Sequence, residues 1–232
     1  MKKLFIFIIT VMASANINAQ IEEGNWYVTP KAGVSVADLT GKLYDEAKAE
    51  GTYDATLRPV VGFTAGVDFQ YAMTDNLALA FGLGYVRGGG KTDKGDFHLT
   101  LDYVNVPVML NFYPIKNAGL ALKAGVQVGF LSHKKGKIDG KVYSDYSATV
   151  AVPVIVPGRG LYHRVFLAES EFSKGFNKVD FSIPLAVSYE ISNIQLEARY
   201  NLGLTKVMKD DAEASKNSIW QFTLGYKFDL GD

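Results

Sequence analysis

Eight stretches of this sequence change from apolar to polar or small and back at every residue, and a period of two admits only extended strands whose two faces meet different surroundings. They cover residues 26–36, 63–71, 77–85, 104–112, 120–130, 181–189, 194–204 and 220–228. In the first, Trp26, Val28, Pro30, Ala32, Val34 and Val36 share one face, while Tyr27, Thr29, Lys31, Gly33 and Ser35 share the other. No helical period competes with this pattern, so the chain is read as all-β.

The connections alternate in length. "MTDN", "PIKNAG" and "ISN" are tight turns, whereas residues 38–59, 87–99, 132–178 and 206–217 are longer. An up-and-down antiparallel barrel with an even number of strands and both termini on the short-turn rim has this layout.

Alternation alone leaves open whether the apolar face points inward, as in a soluble ligand-binding barrel, or outward toward lipid. The other face carries Gly33, Gly66, Gly82, Gly84, Gly125 and Gly129, and small residues suit the cramped interior of about eight strands. The aromatics are sorted by height. Trp26, Tyr71, Phe112, Tyr189 and Phe228 fall at the short-turn rim and Tyr85, Phe130, Phe181 and Trp220 at the other, with Phe69, Phe81 and Tyr200 between them. Two aromatic belts around an apolar band describe a transmembrane β-barrel.

The N-terminus agrees. "MKKLFIFIITVMASANINAQ" has Lys2 and Lys3, an apolar run from Leu4 to Met12, and small residues up to Ala19, the layout of a secretory signal peptide. Residues 1–19 are expected to be removed, leaving a barrel domain over 20–232 in the outer membrane of a Gram-negative bacterium. Lys plus Arg and Asp plus Glu both number 24, so no net field draws the chain to nucleic acid. The absence of cysteine rules out disulfides, a thiolate nucleophile and a cysteine-ligated metal.

Two strands carry an inward proline. In "YVNVPVMLNFYP", Pro107 has no N–H to donate, so a bulge or a missing ladder bond is expected there, and "VDFSIPLAVSYEI" repeats the device with Pro184. These segments, with "QLEARYNLGLT" and the leader ending in Ala-Gln, resemble the PorT-like outer-membrane barrels of Bacteroidetes-type bacteria. That resemblance covers essentially the whole mature chain and implies an eight-stranded outer-membrane barrel. The family's name comes from a member linked to protein secretion, and the resemblance transfers no catalytic residue.

Residues 132–178 are long for one outer loop and contain "TVAVPVIVPGRGLYHRVFLAES", two apolar runs about a turn at residues 157–160. Read as an extra membrane-crossing pair, they make a ten-stranded barrel, but Ala151, Pro153 and Ile155 would then face a lumen read elsewhere as polar. An extracellular hairpin is the favoured reading. Its Val154, Val156, Tyr162 and Phe166 offer apolar surface to a protein partner in the outer membrane or at the surface, and Arg159 and Arg164 suit an acidic group.

Inside the barrel, parity and height bring Lys31, Asp68, Lys123, Glu197 and Arg199 to one level, where charges of both signs must pair to be tolerated. Chemistry is sparse elsewhere. His98, His133 and His163 fall in the longer connections without ligand spacing, and Ser132 and His133 are adjacent on an extended chain, so their side chains point apart. No cofactor or metal is expected, and "RGGGKTDKGD" lacks the helix a phosphate cradle needs. The expected function is a non-enzymatic scaffold or docking partner embedded in outer-membrane lipid. A small-solute porin and a lipid-modifying or hydrolytic enzyme are the alternatives.

Overall fold

A computed structural model describes residues 21–40, 57–92, 97–115, 118–138, 141–144, 148–156, 160–168, 175–207, 209 and 215–231; residues 57, 92, 97, 138 and those between 141 and 168 are described by their backbone alone. The expected signal peptide and Arg159 therefore lie outside the described residues.

The described residues form twelve strands, in order β1 (Trp26–Thr40), β2 (Leu57–Thr74), β3 (Leu77–Thr92), β4 (Phe97–Phe112), β5 (Leu120–Ile138), β6 (Lys141–Ser144), β7 (Ala148–Val156), β8 (Gly160–Ala168), β9 (Val179–Ile191), β10 (Ile194–Lys206), β11 (Lys216–Tyr226) and β12 (Phe228–Asp229). Eight of them, β1 to β5 and β9 to β11, form an antiparallel barrel that closes where β11 pairs with β1. β6 extends the outer end of β5, and β12 continues the last strand along β1. β7 and β8 pair with each other as a separate hairpin.

The ten-stranded reading is thereby excluded. β5 pairs directly with β9, from Leu120 opposite Tyr189 to Phe130 opposite Val179, so no second hairpin is inserted between them. A second correction concerns length. Parts of the connections read as loops, at 38–59 and 87–99, continue as strand: β1 runs to Thr40, β3 to Thr92, and β4 begins at Phe97.

Pro107 interrupts pairing on one side without shifting the register. β3 and β4 pair as far as Phe81 opposite Val108 and resume at Gly84 opposite Asn105, while β4 and β5 pair through Pro107 opposite Gln127. Pro184 does the same, pairing with Asn201 of β10 and leaving a gap toward β5. A missing ladder bond, not a bulge, is the outcome at both.

The barrel is apolar outside and polar within. Val61, Val126 and Leu224 are 66%, 64% and 57% exposed, whereas Asn111, Glu190 and Arg199 are 2%, 1% and 4% exposed. An apolar exterior this continuous is stable only against hydrocarbon. From Trp26 to Val36, β1 rises about 24 Å at about 3.4 Å per residue and a tilt of about 45°, the height of an outer-membrane apolar band. Two of the aromatics between the belts prolong the lower one, since Phe69 stacks on Phe81 at 5.6 Å and Trp26 meets Phe81 edge-on at 6.1 Å, while Tyr200 packs on Trp220 of the upper belt at 4.9 Å.

Candidate functional site

The barrel brings all five lumen charges read from parity into one network. Lys31 of β1 is paired with the Asp68 carboxylate of β2, and its Nζ also donates to Glu197 Oε1 of β10 at 3.2 Å. Lys123 Nζ of β5 donates to Glu197 Oε2 at 2.8 Å, Arg199 Nη2 reaches Glu197 Oε1 at 2.8 Å, and the same nitrogen lies 3.4 Å from Asp68 Oδ2. Three cations thus share two carboxylates, all nearly excluded from solvent. The local sequence makes room for them. Lys31 lies opposite Gly66 on one side and Gly225 on the other, and a Cβ at Gly82 would collide with the Asp68 carboxylate.

Below this level, toward the short-turn rim, lies a second ion pair that the sequence reading did not single out. Lys227 Nζ donates to Glu190 Oε2 at 2.7 Å and lies 4.7 Å from the centre of the Tyr27 ring. Gln195 Nε2 donates to Glu190 Oε1 at 2.8 Å, and Tyr113 Oη meets the same oxygen at 3.3 Å. Asn111 Nδ2 donates to Gln70 Oε1 at 2.8 Å beside them. Both charges lie on the inward parity of their strands, so parity carried the signal. Their pairing depends on bringing the end of β9 beside the residue that follows β11.

Above the five-residue network the lumen turns apolar, against the expectation of a polar interior. Ala37, Leu39, Val86, Leu99, Leu101, Tyr103 and Ile219 pack there with Phe176 and Val207. Of these, Leu39 and Leu99 sit on strand extensions within the connections that the sequence reading assigned to loops. Between the two levels are cavities of about 20 Å³, bordered by Thr64, Gln127 and Gln221, and about 10 Å³, bordered by Asn105, Ser182 and Asn201. The larger has the size of about one water molecule.

On the outer wall, Ser132 sits in an irregularity of β5 where the β4 register shifts between Asp102 and Tyr103, and its hydroxyl donates to the Asp102 carbonyl at 3.0 Å. His133 lies opposite Asp102, and His98 opposite Lys91 and Lys137. Arg87 Nε donates to Asp102 Oδ1 at 2.8 Å. Among the described residues no group of three or more histidine, cysteine or acidic side chains could hold a metal ion. The docking residues Val154, Val156, Tyr162, Arg164 and Phe166 fall on β7 and β8, whose backbone forms the separate hairpin; their side chains lie outside the described residues.

An eight-stranded closed barrel with an apolar exterior, a buried ion network and aromatic belts is the architecture of an outer-membrane β-barrel protein. The sequence matches the family model described as outer membrane protein beta-barrel domain over residues 18–209, and the chain belongs to that family. Its location is the outer membrane. Among solved structures it is similar to the attachment invasion locus protein of Yersinia pestis, at 14% identity and a TM-score of 0.44, covering 89% of this chain and 99% of that one. It is also similar to Neisserial surface protein A, at 13% identity and a TM-score of 0.47, covering 89% and 100%. Outer membrane protein OprG from Pseudomonas aeruginosa matches at 13% identity and a TM-score of 0.40, covering 90% and 98%. No curated protein matches the sequence.

Proposed function

We propose that the chain is a non-enzymatic outer-membrane barrel that acts as a scaffold or docking partner for surface or secretion components through its long outer segment, residues 132–178. The observation that supports this reading is the filling of the lumen at three levels: the Glu190–Lys227 pair, the network around Glu197, and the apolar cluster around Leu99 and Leu101. A solute path would have to displace paired buried charges and a packed apolar layer, which favours an activity at the outer surface, where segments vary without disturbing the barrel. The paired proline strands and "ARYNLGLT" favour the PorT-like barrels as the narrower relationship, and with it a link to secretion.

Two measurements test the reading. In planar bilayers the purified barrel should give little steady conductance; a large resting conductance overturns it in favour of a small-solute porin. Deleting residues 149–169 should leave a heat-resistant folded barrel while removing a co-purifying outer-membrane or surface protein. Survival of that co-purification would show that the hairpin is not the docking site.

A further inference from the structure

Beyond the outer aromatic belt the strands continue, and their outward face changes from apolar to cationic. Lys91 of β3 lies opposite His98 of β4, and His98 lies opposite Lys137 of β5, so three basic side chains stand abreast on adjacent strands. Arg58 of β2 lies opposite Lys91, and Lys135 is opposite Thr100, one step lower on the same face. The outward direction follows from the neighbours: Leu99 and Leu101 are fully buried in the lumen, while His98, Lys135 and Lys137 are exposed.

Like charges placed directly opposite across a sheet repel. His98 stands between two such charges, opposite Lys91 on one side and Lys137 on the other. The nearby carboxylate of Asp102 is engaged by Arg87. Among the described residues, Lys91, Lys135 and Lys137 have no carboxylate partner. Among the described residues, the wall therefore carries a cationic row at one defined height.

That height is informative. Lys91 is six residues beyond Tyr85 of the outer belt, which at about 3.4 Å per residue and a tilt of about 45° places the row about 14 Å above the belt. Tyr85, Val104 and Phe130 lie abreast on the same three strands below it and face lipid. A molecule with acyl chains against that wall and anionic groups at the row would satisfy both surfaces. A soluble polyanion would use only the upper one.

We propose that Lys91, His98, Lys135 and Lys137 form a binding site for the phosphorylated saccharide head group of an outer-leaflet glycolipid of the lipopolysaccharide class. Lysine ammonium groups serve as mobile point charges toward phosphate oxygens, which suits a head group with several phosphates better than a planar carboxylate. The site is independent of the docking role proposed for residues 132–178 as a whole, because its ligand is lipid and its wall includes β3 and β4.

The test uses the full-length barrel in phosphatidylcholine nanodiscs, titrated with purified lipopolysaccharide and with the same material after dephosphorylation. The wild type should bind the phosphorylated form at least tenfold more tightly, and the triple variant Lys91→Gln, Lys135→Gln, Lys137→Gln should lose that preference. A Lys206→Gln, Lys216→Gln variant on the far wall should keep it. Equal binding by the wild type and the triple variant would overturn the proposal, as would an equal loss in the far-wall variant. Inorganic tripolyphosphate is the soluble probe: if it binds as tightly as the glycolipid, the membrane source is wrong and the row is a free-polyanion site. Should the triple variant not fold, Lys137→Gln alone should weaken binding and Lys91→Arg, Lys135→Arg, Lys137→Arg should preserve it; the reverse pattern overturns the site.

Discussion

Lys123 and Glu197 meet at 2.8 Å although their strands are not neighbours, since β9 runs between β5 and β10. Ala186 of β9 is paired with Lys123 on one side and with Arg199 on the other, and its methyl group leaves the space in which both cations reach the same carboxylate. Glu197 is therefore the anion on which the network converges, accepting from Lys31, Lys123 and Arg199.

Replacing Glu197 by Gln should leave three buried cations with Asp68 alone and destabilise the barrel by about 3–5 kcal/mol, the cost of breaking a buried pair from one side. Unfolding by urea in lipid measures it. Combining Glu197→Met with Lys123→Met should lose less than the sum of the single changes, because the second substitution removes one of the stranded charges. Strict additivity would show that the two side chains act independently.

Val108 and Val126 lie opposite each other at mid-height on the lipid face. Val126→Arg should cost about 2–4 kcal/mol and Val104→Arg, beside the outer belt, about 0–1 kcal/mol. From the sequence, Gln127→Arg inside the lumen is expected to be cheaper than a lipid-face arginine. Gln127 is 4% exposed, its Nε2 donates to Ser182 Oγ at 3.1 Å, and it borders both small lumen cavities, the larger of them shared with the Asp68 carboxylate. Equal costs at Val126 and Val104 would contradict a depth-dependent lipid environment.

Leu101 is fully buried in the outer lumen layer. Leu101→Ala should destabilise the folded barrel by about 2–5 kcal/mol, as expected where a packed apolar side chain is removed. A change within about 0.5 kcal/mol, the size usual for exposed positions, would mean that the outer lumen is wet.

Burial, followed by the charges of Lys91 and then Lys135 and Lys137, lowers the His98 pKa from 6.5. Lys91 faces it from β3 and the other two from β5, while Thr100 Oγ lies 3.4 Å from its Nε2 on β4. With the folded value below the unfolded one, the unfolded chain binds more protons between the two, so stability rises with pH through that window and its His98-linked part is lost on acidification. Titration of the imidazole by NMR should show Lys91→Gln and Lys137→Gln each moving the midpoint upward. A fall, or no movement, would contradict the cationic row.

Much of this molecule was legible because strand geometry is local. A residue's parity follows from the backbone of its own segment, so the lipid face, the belts and the inward position of Lys31, Asp68, Lys123, Glu197 and Arg199 could be read without knowing any neighbour. The same parity ran past the points where reading stopped. Leu99 and Leu101 lie inward on the continuation of their strand, but outside the bilayer the outer face no longer has to be apolar, and the alternation that reveals a strand fades.

The sequence by itself determined an outward apolar wall and an inward set of charges, because both follow from a period of two repeated in eight segments. Only the tertiary structure decided which charges share Glu197, that β5 adjoins β9 with the β7–β8 hairpin left outside the barrel, and that Lys91, His98 and Lys137 stand abreast. Those relations depend on the register between strands and on closure of β11 against β1. Register is a property of pairs far apart in the chain, and no single segment encodes it.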